Sequence, residues 1–364
     1  MRKQTNGKMK KIKYILGCIG TALMFSACSD FLDVATQNGL DPDQANDAER
    51  FCNAAYASLM NQRDVKLWAW GDVRSDDAYK GGGGTNDGYT EHCYETGTHI
   101  VTTFNEPDGY WFAQYCGISR VNTALNALNL VSEKEFPNKV TRQAEMRFLR
   151  GHFYFLLKIL FKNIPFVDET VPEHQYQYIS NVALTDVEMW DKIIEDFKFA
   201  FDNLPEKQAD LGRANKYAAA AYLAKANLYK AYRQNEKYEV TSIDAGDLEE
   251  VVKYTGEVLK SSYGLETDFA YNFMPEFENG KESIFAIQFS KDDGTMFGNL
   301  NFADFLSVPQ GLGCCDFHKP SQNLVNAFKT SKGLPMFKMT NGVYSENYDI
   351  ANYSKSKAAD PRLF

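Results

Sequence analysis

Along most of this chain, apolar residues recur at three- and four-residue spacing, the repeat that lines up side chains on one face of a helix. In "DPDQANDAERFCNAAYASLM" (41–60), Phe51, Ala54, Ala55 and Leu59 form such a stripe, and Asp43 or Asp47 could cap it. "YWFAQYCGISRVNTALNALNLV" (110–131) repeats the pattern with Ile118, Val121, Leu125 and Leu128. In "TRQAEMRFLRGHFYFLLKILFKNIPFV" (141–167), Met146, Leu149, Phe153, Leu156, Leu157 and Leu160 make one face, while Phe148, Phe155 and Ile159 populate a second. A helix apolar on two sides is packed from two sides. Further helices are predicted at "TDVEMWDKIIEDFKFAFDNLP" (185–205), started by Thr185 or Asp186 and stopped by Pro205, and at the alanine-rich "NKYAAAAYLAKANLYKAYRQNEKY" (215–238). "DLEEVVKYTGEVLKSSYGL" (247–265) closes the series. Trp190 falls on an apolar stripe and is expected in the core. Ala220, Ala224 and Ala231 are small enough for neighbouring helix axes to approach closely.

Two stretches break the pattern. "GDVRSDDAYKGGGGTNDGYTEHCYETG", within 72–106, has four successive glycines, scattered acids and no core periodicity, so it reads as a long loop. Beyond Tyr271 the helical repeat stops. "ESIFAIQFS" (282–290) alternates and is rich in aromatic and β-branched residues, which predicts a short strand. Gly, Asn and Pro then punctuate 294–313, before a weak helix at "SQNLVNAFKT" (321–330).

The N-terminus is of another kind. Arg2, Lys3, Lys8, Lys10, Lys11 and Lys13 precede the apolar run "YILGCIGTALMF", which is too short for a bilayer span of about 20 residues but suits an export leader. Ser26 and Ala27 are small, and Cys28 leads straight into "SDFLD". This layout resembles a bacterial lipoprotein signal, with Cys28 as the lipid-bearing first mature residue and Phe25 departing from the usual Leu or Val. Several acyl chains would hold the protein on a membrane, since each buried methylene contributes about 0.8 kcal/mol.

The chain has 364 residues and a formal charge of −9, and the six leader cations leave with the leader, so the mature surface is more acidic still. Such a surface repels phosphate backbones, which argues against nucleic acid as a partner. Without Cys18 and Cys28, the cysteines are Cys52, Cys93, Cys116, Cys314 and Cys315, an odd set with no regular spacing rather than a disulfide framework. Metal, nucleotide and nucleophile motifs are lacking: there is no H-E-x-x-H, paired C-x-x-C or G-x-S-x-G. No cofactor is implied, and Asp76–Asp77 reads as solvated or capping rather than as a catalytic pair. The residues with binding chemistry are aromatics in loops, which stack on sugar rings, beside amides and acids that bond hydroxyls. They are Tyr79, Asn86, Asp87 and Tyr89 in the glycine-rich loop, and Phe297, Asn299, Phe317 and His318 further on.

Several motifs run in one order along the chain: "CSDFLD", "GDVRSDDA", "ISRVNTAL", "AEMRFLRGHFYFLLKILFKNIPFV", "GRANKYAAAAYLAKANLYKAY", "ESIFAIQFS" and "DPRLF". In this the chain resembles the RagB/SusD family of outer-membrane nutrient-binding lipoproteins. The resemblance implies a mainly α fold of tetratricopeptide-like antiparallel helix pairs with an irregular, loop-rich lobe and a few short strands. It implies capture of an oligosaccharide, or sometimes a peptide, and delivery to a SusC-like TonB-dependent transporter, on the surface of the outer membrane and without enzymatic activity. By position in the chain, the binding arc of starch-binding relatives corresponds to the Tyr79–Tyr89 loop and the Phe297 and Phe317 loops, although the tryptophans of a starch arc have no counterpart here. Family members usually continue beyond "DPRL", so the resemblance also implies a C-terminal part that is missing after Phe364.

The resulting organisation is a leader (1–27), a lipid-anchored tether (28–43), a helical repeat domain (44–274) carrying the loop at 72–106, and a ligand-binding lobe (275–364). The alternatives are a lipid-anchored glycoside hydrolase, needing two carboxylates about 5–10 Å apart across a cleft, and a repeat scaffold that binds only protein.

Overall fold

The structure, a computed structural model, describes residues 45–59, 68–98, 106–289, 315–336, 344–352 and 358–363. Cys28, Phe297 and Asn299 lie outside them. The fold is mainly α. Helices α1 (Ala45–Ala57), α3 (Glu106–Leu130), α4 (Lys139–Phe161), α5 (Asp186–Asn203), α6 (Lys216–Ala231) and α7 (Ala245–Leu259) follow the periodic segments closely. A short helix, α2 (Tyr89–Thr96), precedes α3. Each long helix packs chiefly on its neighbour in the series: α1 on α3, α3 on α4, then α4 on α5, α5 on α6 and α6 on α7. That is an array of antiparallel helix pairs of tetratricopeptide type.

Local signals account for the helix starts. Thr185 caps α5 with a full capping box: its hydroxyl accepts from the Glu188 amide at 3.3 Å while Glu188 accepts from the Thr185 amide at 2.7 Å. Asn215 caps α6 through the Ala218 amide at 2.9 Å, and Asp244 caps α7 through the Asp247 amide at 3.0 Å. The stripes mark most of the core, although Leu156 and Leu160 are only half-buried and Ile159 is exposed. Ile118, Val121, Leu125, Leu128, Met146, Phe148, Leu149, Phe153, Phe155 and Leu157 are all buried, and so is Trp190. Gly117 lets α3 close on α4, since a Cβ there would stand 2.6 Å from the Phe153 ring.

The arginines of α4 add a polar frame. Arg150 grips Asp196 of α5 with two bonds of 2.7 and 2.9 Å, reaches Asn122 of α3 at 3.1 Å, and pairs with Glu169. Arg147 also pairs with Asp196. Burial works against the Arg150 charge, but Asp196 and Glu169 more than offset it and hold the guanidinium protonated. One turn of helix away, Glu145 is fully buried between Arg142 (2.8 Å) and Arg213 (2.9 Å), and both arginines continue to Glu49 of α1. Burial raises the Glu145 pKa and the two arginines oppose that rise. The arginine spacing in "AEMRFLRGHFYF" is therefore a clamp across three helices.

Two expectations are corrected here. "ESIFAIQFS" forms no strand over its described residues. Ile284, Phe285 and Ile287 instead pack against the helical core, with Phe285 edge-on to Phe148 at 5.1 Å. Its alternation records one side lying on helices. The glycine-rich segment is also not a bare loop: it holds one π-helical turn (Ala69–Val73), strand β1 (Ala78–Gly81) and α2. Hairpin β2–β3 (Tyr232–Gln234 and Val240–Ile243) follows α6. Strand β4 (Phe317–Pro320) leads into α8 (Gln322–Ala327), which matches the weak helix expected there, and then into the small pair β5–β6 (Thr330–Ser331 and Leu334–Pro335).

Candidate functional site: a strand-paired loop patch and an aromatic cleft

The two loop regions singled out by sequence meet. Strands β1 and β4 pair antiparallel, with Ala78 opposite Pro320, Tyr79 opposite Lys319 and Gly81 opposite Phe317. The seam extends past the strands, since the Gly82 amide donates to Asp316 O at 3.1 Å and the Ser321 amide to Asp77 O at 2.9 Å. The Ser321 hydroxyl donates to Asp76 O, so the Asp76–Asp77 backbone docks this segment, in keeping with a structural role for that pair.

Lys80 is the hub of the patch. It is buried, and its ammonium donates to the carbonyls of Gly81 (2.8 Å), Gly84 (2.8 Å) and Asp87 (2.6 Å). Asp87 in turn accepts from the Gly83 amide at 2.7 Å. A buried cation ringed by three carbonyls gathers the glycine run into one turn. Gly82 has φ +71° and a Cβ there would stand 2.6 Å from the Phe317 ring, so the turn needs glycine for both reasons.

The site residues expected from sequence divide. Tyr79 is 49% exposed and Asn86 is exposed. Tyr89 is half-buried, its hydroxyl bonded to Cys93, which raises its pKa. His318 is half-exposed, stacks on Trp68 with centroids 4.9 Å apart, and places Nε2 2.7 Å from the Asp72 carboxylate. Phe317 corrects the expectation of an open stacking platform. It is buried, with Trp68 6.2 Å away and Lys80 Nζ 5.4 Å from its ring centre. The glycines leave room for the loop to cover the ring, so Phe317 is the floor of the patch. The sequence reading missed Trp68 and Lys80, and a lone lysine directly before four glycines was the available signal for the latter.

A second concavity went unread in the sequence. A cleft of about 480 Å³ opens between the end of α4, the start of α5 and the β2–β3 hairpin. Trp190, Tyr229, Tyr232 and Tyr238 line it with Arg74, Lys158, Lys162 and Asp186. The signal was "YKAYRQNEKY", whose tyrosines exceed what the apolar stripe of α6 can absorb. No helix of the described residues is long and apolar enough to cross a membrane, and no cluster there has the side chains to hold a metal.

The SusD-like family, described as starch-binding and associating with the outer membrane, matches residues 30–228. The chain belongs to this family. It is similar to a SusD-like protein of Bacteroides ovatus, 27% identical over 329 residues, covering 86% of this chain and 57% of the relative. It is also similar to SusD-like protein P2 of Formosa agariphila, 29% identical over 226 residues, covering 58% of this chain and 42% of the relative. The chain thus spans about half the length of the curated relatives it matches. Among solved structures, surface glycan-binding protein A from Bacteroides thetaiotaomicron in complex with laminarihexaose shares the fold, with a TM-score of 0.55 at 21% identity over 68% of this chain and 50% of that one.

Proposed function

We propose that this chain is a glycan-capturing lipoprotein of the outer-membrane surface, anchored through Cys28, that passes oligosaccharide to a SusC-like TonB-dependent transporter and catalyses no reaction on it. Membership of the family supports association with the outer membrane. The observation that carries the reading is the β1–β4 pairing, which sets Tyr79 beside the strand that bears His318, while Lys80 ties down the turn that bears Asn86 and leads to Tyr89. An exposed aromatic hides apolar sugar surface from water at roughly 25 cal/mol per Å². Neighbouring amide, imidazole and hydroxyl groups can bond the ring hydroxyls. A few such contacts give an affinity in the micromolar-to-millimolar range, which suits cargo that must be released. The solved neighbour that holds laminarihexaose makes that oligosaccharide a fitting first probe.

Calorimetric titration with laminarihexaose, and with a panel of other glucans, tests this. Tyr79→Ala and His318→Ala should each weaken binding of whichever of these glucans the wild type takes about three- to tenfold, with the melting transition unmoved. If both changes leave affinity intact, the patch is not the site.

A further inference from the structure

The aromatic cleft shares no residue with the strand-paired patch, and its charge runs against that of the chain. Of its three cations, Lys158 is neutralised: its ammonium lies 2.5 Å from Asp186 and 2.7 Å from the Lys162 carbonyl. Arg74 and Lys162 form no ion pair among the described residues, and the one carboxylate of the lining, Asp186, is taken by Lys158. Arg74 sits 5.9 Å from the ring centres of Trp70 and Tyr94. Lys162 donates to Asn235 O at 3.0 Å and lies 4.1 Å from the centre of the Tyr238 ring. A protein with a formal charge of −9 therefore keeps two unneutralised cations beside one concavity.

The walls are aromatic and held in place. Tyr229, Tyr232 and Tyr238 are 46%, 41% and 66% exposed. Tyr229 is backed by Trp190 at 5.7 Å and by Phe155 at 5.5 Å. Tyr238 sits at a hairpin tip fixed by Asn235, whose side-chain oxygen accepts from the Lys237 and Glu239 amides at 2.8 and 3.1 Å. The two residues that meet at this rim, Lys162 and Tyr238, both have positive φ, 59° and 63°. Non-glycine residues in that region cluster where a site is held in shape. Gln234 adds an amide. The volume falls within the range of small-molecule sites, roughly 300–1,000 Å³.

Ring faces for stacking, an amide for hydroxyls and two free cations for a carboxylate define one class of ligand. We propose that this cleft is a second saccharide site that takes an acidic sugar, a pyranose bearing a uronate carboxylate, with Arg74 and Lys162 meeting the charge and Tyr229, Tyr232 and Tyr238 the rings. The site stands apart from the patch assigned above and does not depend on it. Selection by charge is its distinguishing property.

Tetragalacturonate, and the same tetramer fully methyl-esterified, are the probes for calorimetric titration against the full chain. The acid should bind at least about tenfold more tightly than the ester, and more weakly as salt rises from 50 to 500 mM, because the contact is a screened ion pair. Arg74→Gln with Lys162→Gln should abolish the preference for acid over ester. Tyr238→Ala should weaken both probes at least about fivefold, and Tyr79→Ala should change neither. Tyr238 and Arg74 are exposed, so these variants should melt with the wild type, and Arg74→Lys should restore part of the preference. The proposal is overturned if the tetramer does not bind, if acid and ester bind alike, or if Tyr79→Ala removes binding while the cleft variants keep it.

Discussion

The helical array and the strand-paired patch are held together by different means. In the array, stripes of apolar residues close on one another, and the few buried charges are paired across helices, as Arg150 is with Asp196 and Glu145 with Arg142 and Arg213. In the patch the apolar centre is small, consisting of Ala69, Val73 and Ala78 with Trp68 and Tyr94 against them. Its order comes from the β1–β4 ladder, the His318–Asp72 contact and the three carbonyls around Lys80. Burial of apolar area is additive over many residues, whereas a hub fails as a unit. The candidate binding surface therefore rests on few interactions, mounted on a scaffold that rests on many.

The largest expected effect tests the scaffold. Arg150→Ala leaves Glu169 without its arginine and Asp196 with Arg147 alone, in a site from which water is excluded. Breaking a buried pair from one side costs about 3–5 kcal/mol. Urea unfolding should show a loss of that size, and Arg150→Lys a smaller one, because it keeps the charge but loses the two-bond grip on Asp196. A loss below about 1 kcal/mol would mean that apolar packing alone holds α4 to α5, and that the clamp is ornament.

Acid gives the next. His152 lies buried in α4 with Nδ1 2.7 Å from the Tyr222 hydroxyl and Nε2 without a hydrogen-bond partner among the described residues. Burial first, and Lys225 second, push its pKa down to about 4. The unfolded chain, with an ordinary histidine near 6.5, then binds a proton that the folded one refuses. Stability from this group is complete above about pH 6.5 and is lost as the pH falls towards 4, up to about 3 kcal/mol in all. Between pH 7 and 4.5 the wild type should lose about 2–3 kcal/mol more than His152→Gln. Equal losses would show that the imidazole is not what acid attacks in the array.

The same contrast explains what the sequence made legible. The array's order is local in origin: Phe153 and Leu157 face the core because of their spacing, and the Thr185–Glu188 box is written in four adjacent residues. Trp190 follows the same spacing and is buried. The patch's order is not local. Asp72 and His318 are 246 positions apart, and no periodicity in 72–98 signals a strand whose partner lies so far away. Aromatics and amides can still be picked out there by chemistry, so both segments read as candidate binding loops although their pairing is not visible in the sequence. Burial was the part that chemistry could not supply: Phe317 looked open among glycines, yet those glycines are what allow it to be covered. "ESIFAIQFS" erred the other way, because alternation marks one buried side whether the neighbour is a strand or a helix.

The smallest effect on stability should come from the hub itself. Lys80→Met keeps the apolar stem beneath Phe317 and removes the ammonium that binds Gly81, Gly84 and Asp87. Those carbonyls belong to an exposed loop and can turn to water, so the global loss should stay near or below about 1–2 kcal/mol, less than three charged hydrogen bonds would suggest. The cost should appear locally. Amide exchange over 82–88 should quicken by at least tenfold while α3–α6 keep their protection, since opening of a loop is separate from opening of the array. Glycan affinity should fall several-fold with it, because Asn86 and Tyr89 would have to be ordered again on binding. If Lys80→Met instead lowers urea stability as far as Arg150→Ala does, the patch and the array unfold as one unit and the division between them is wrong.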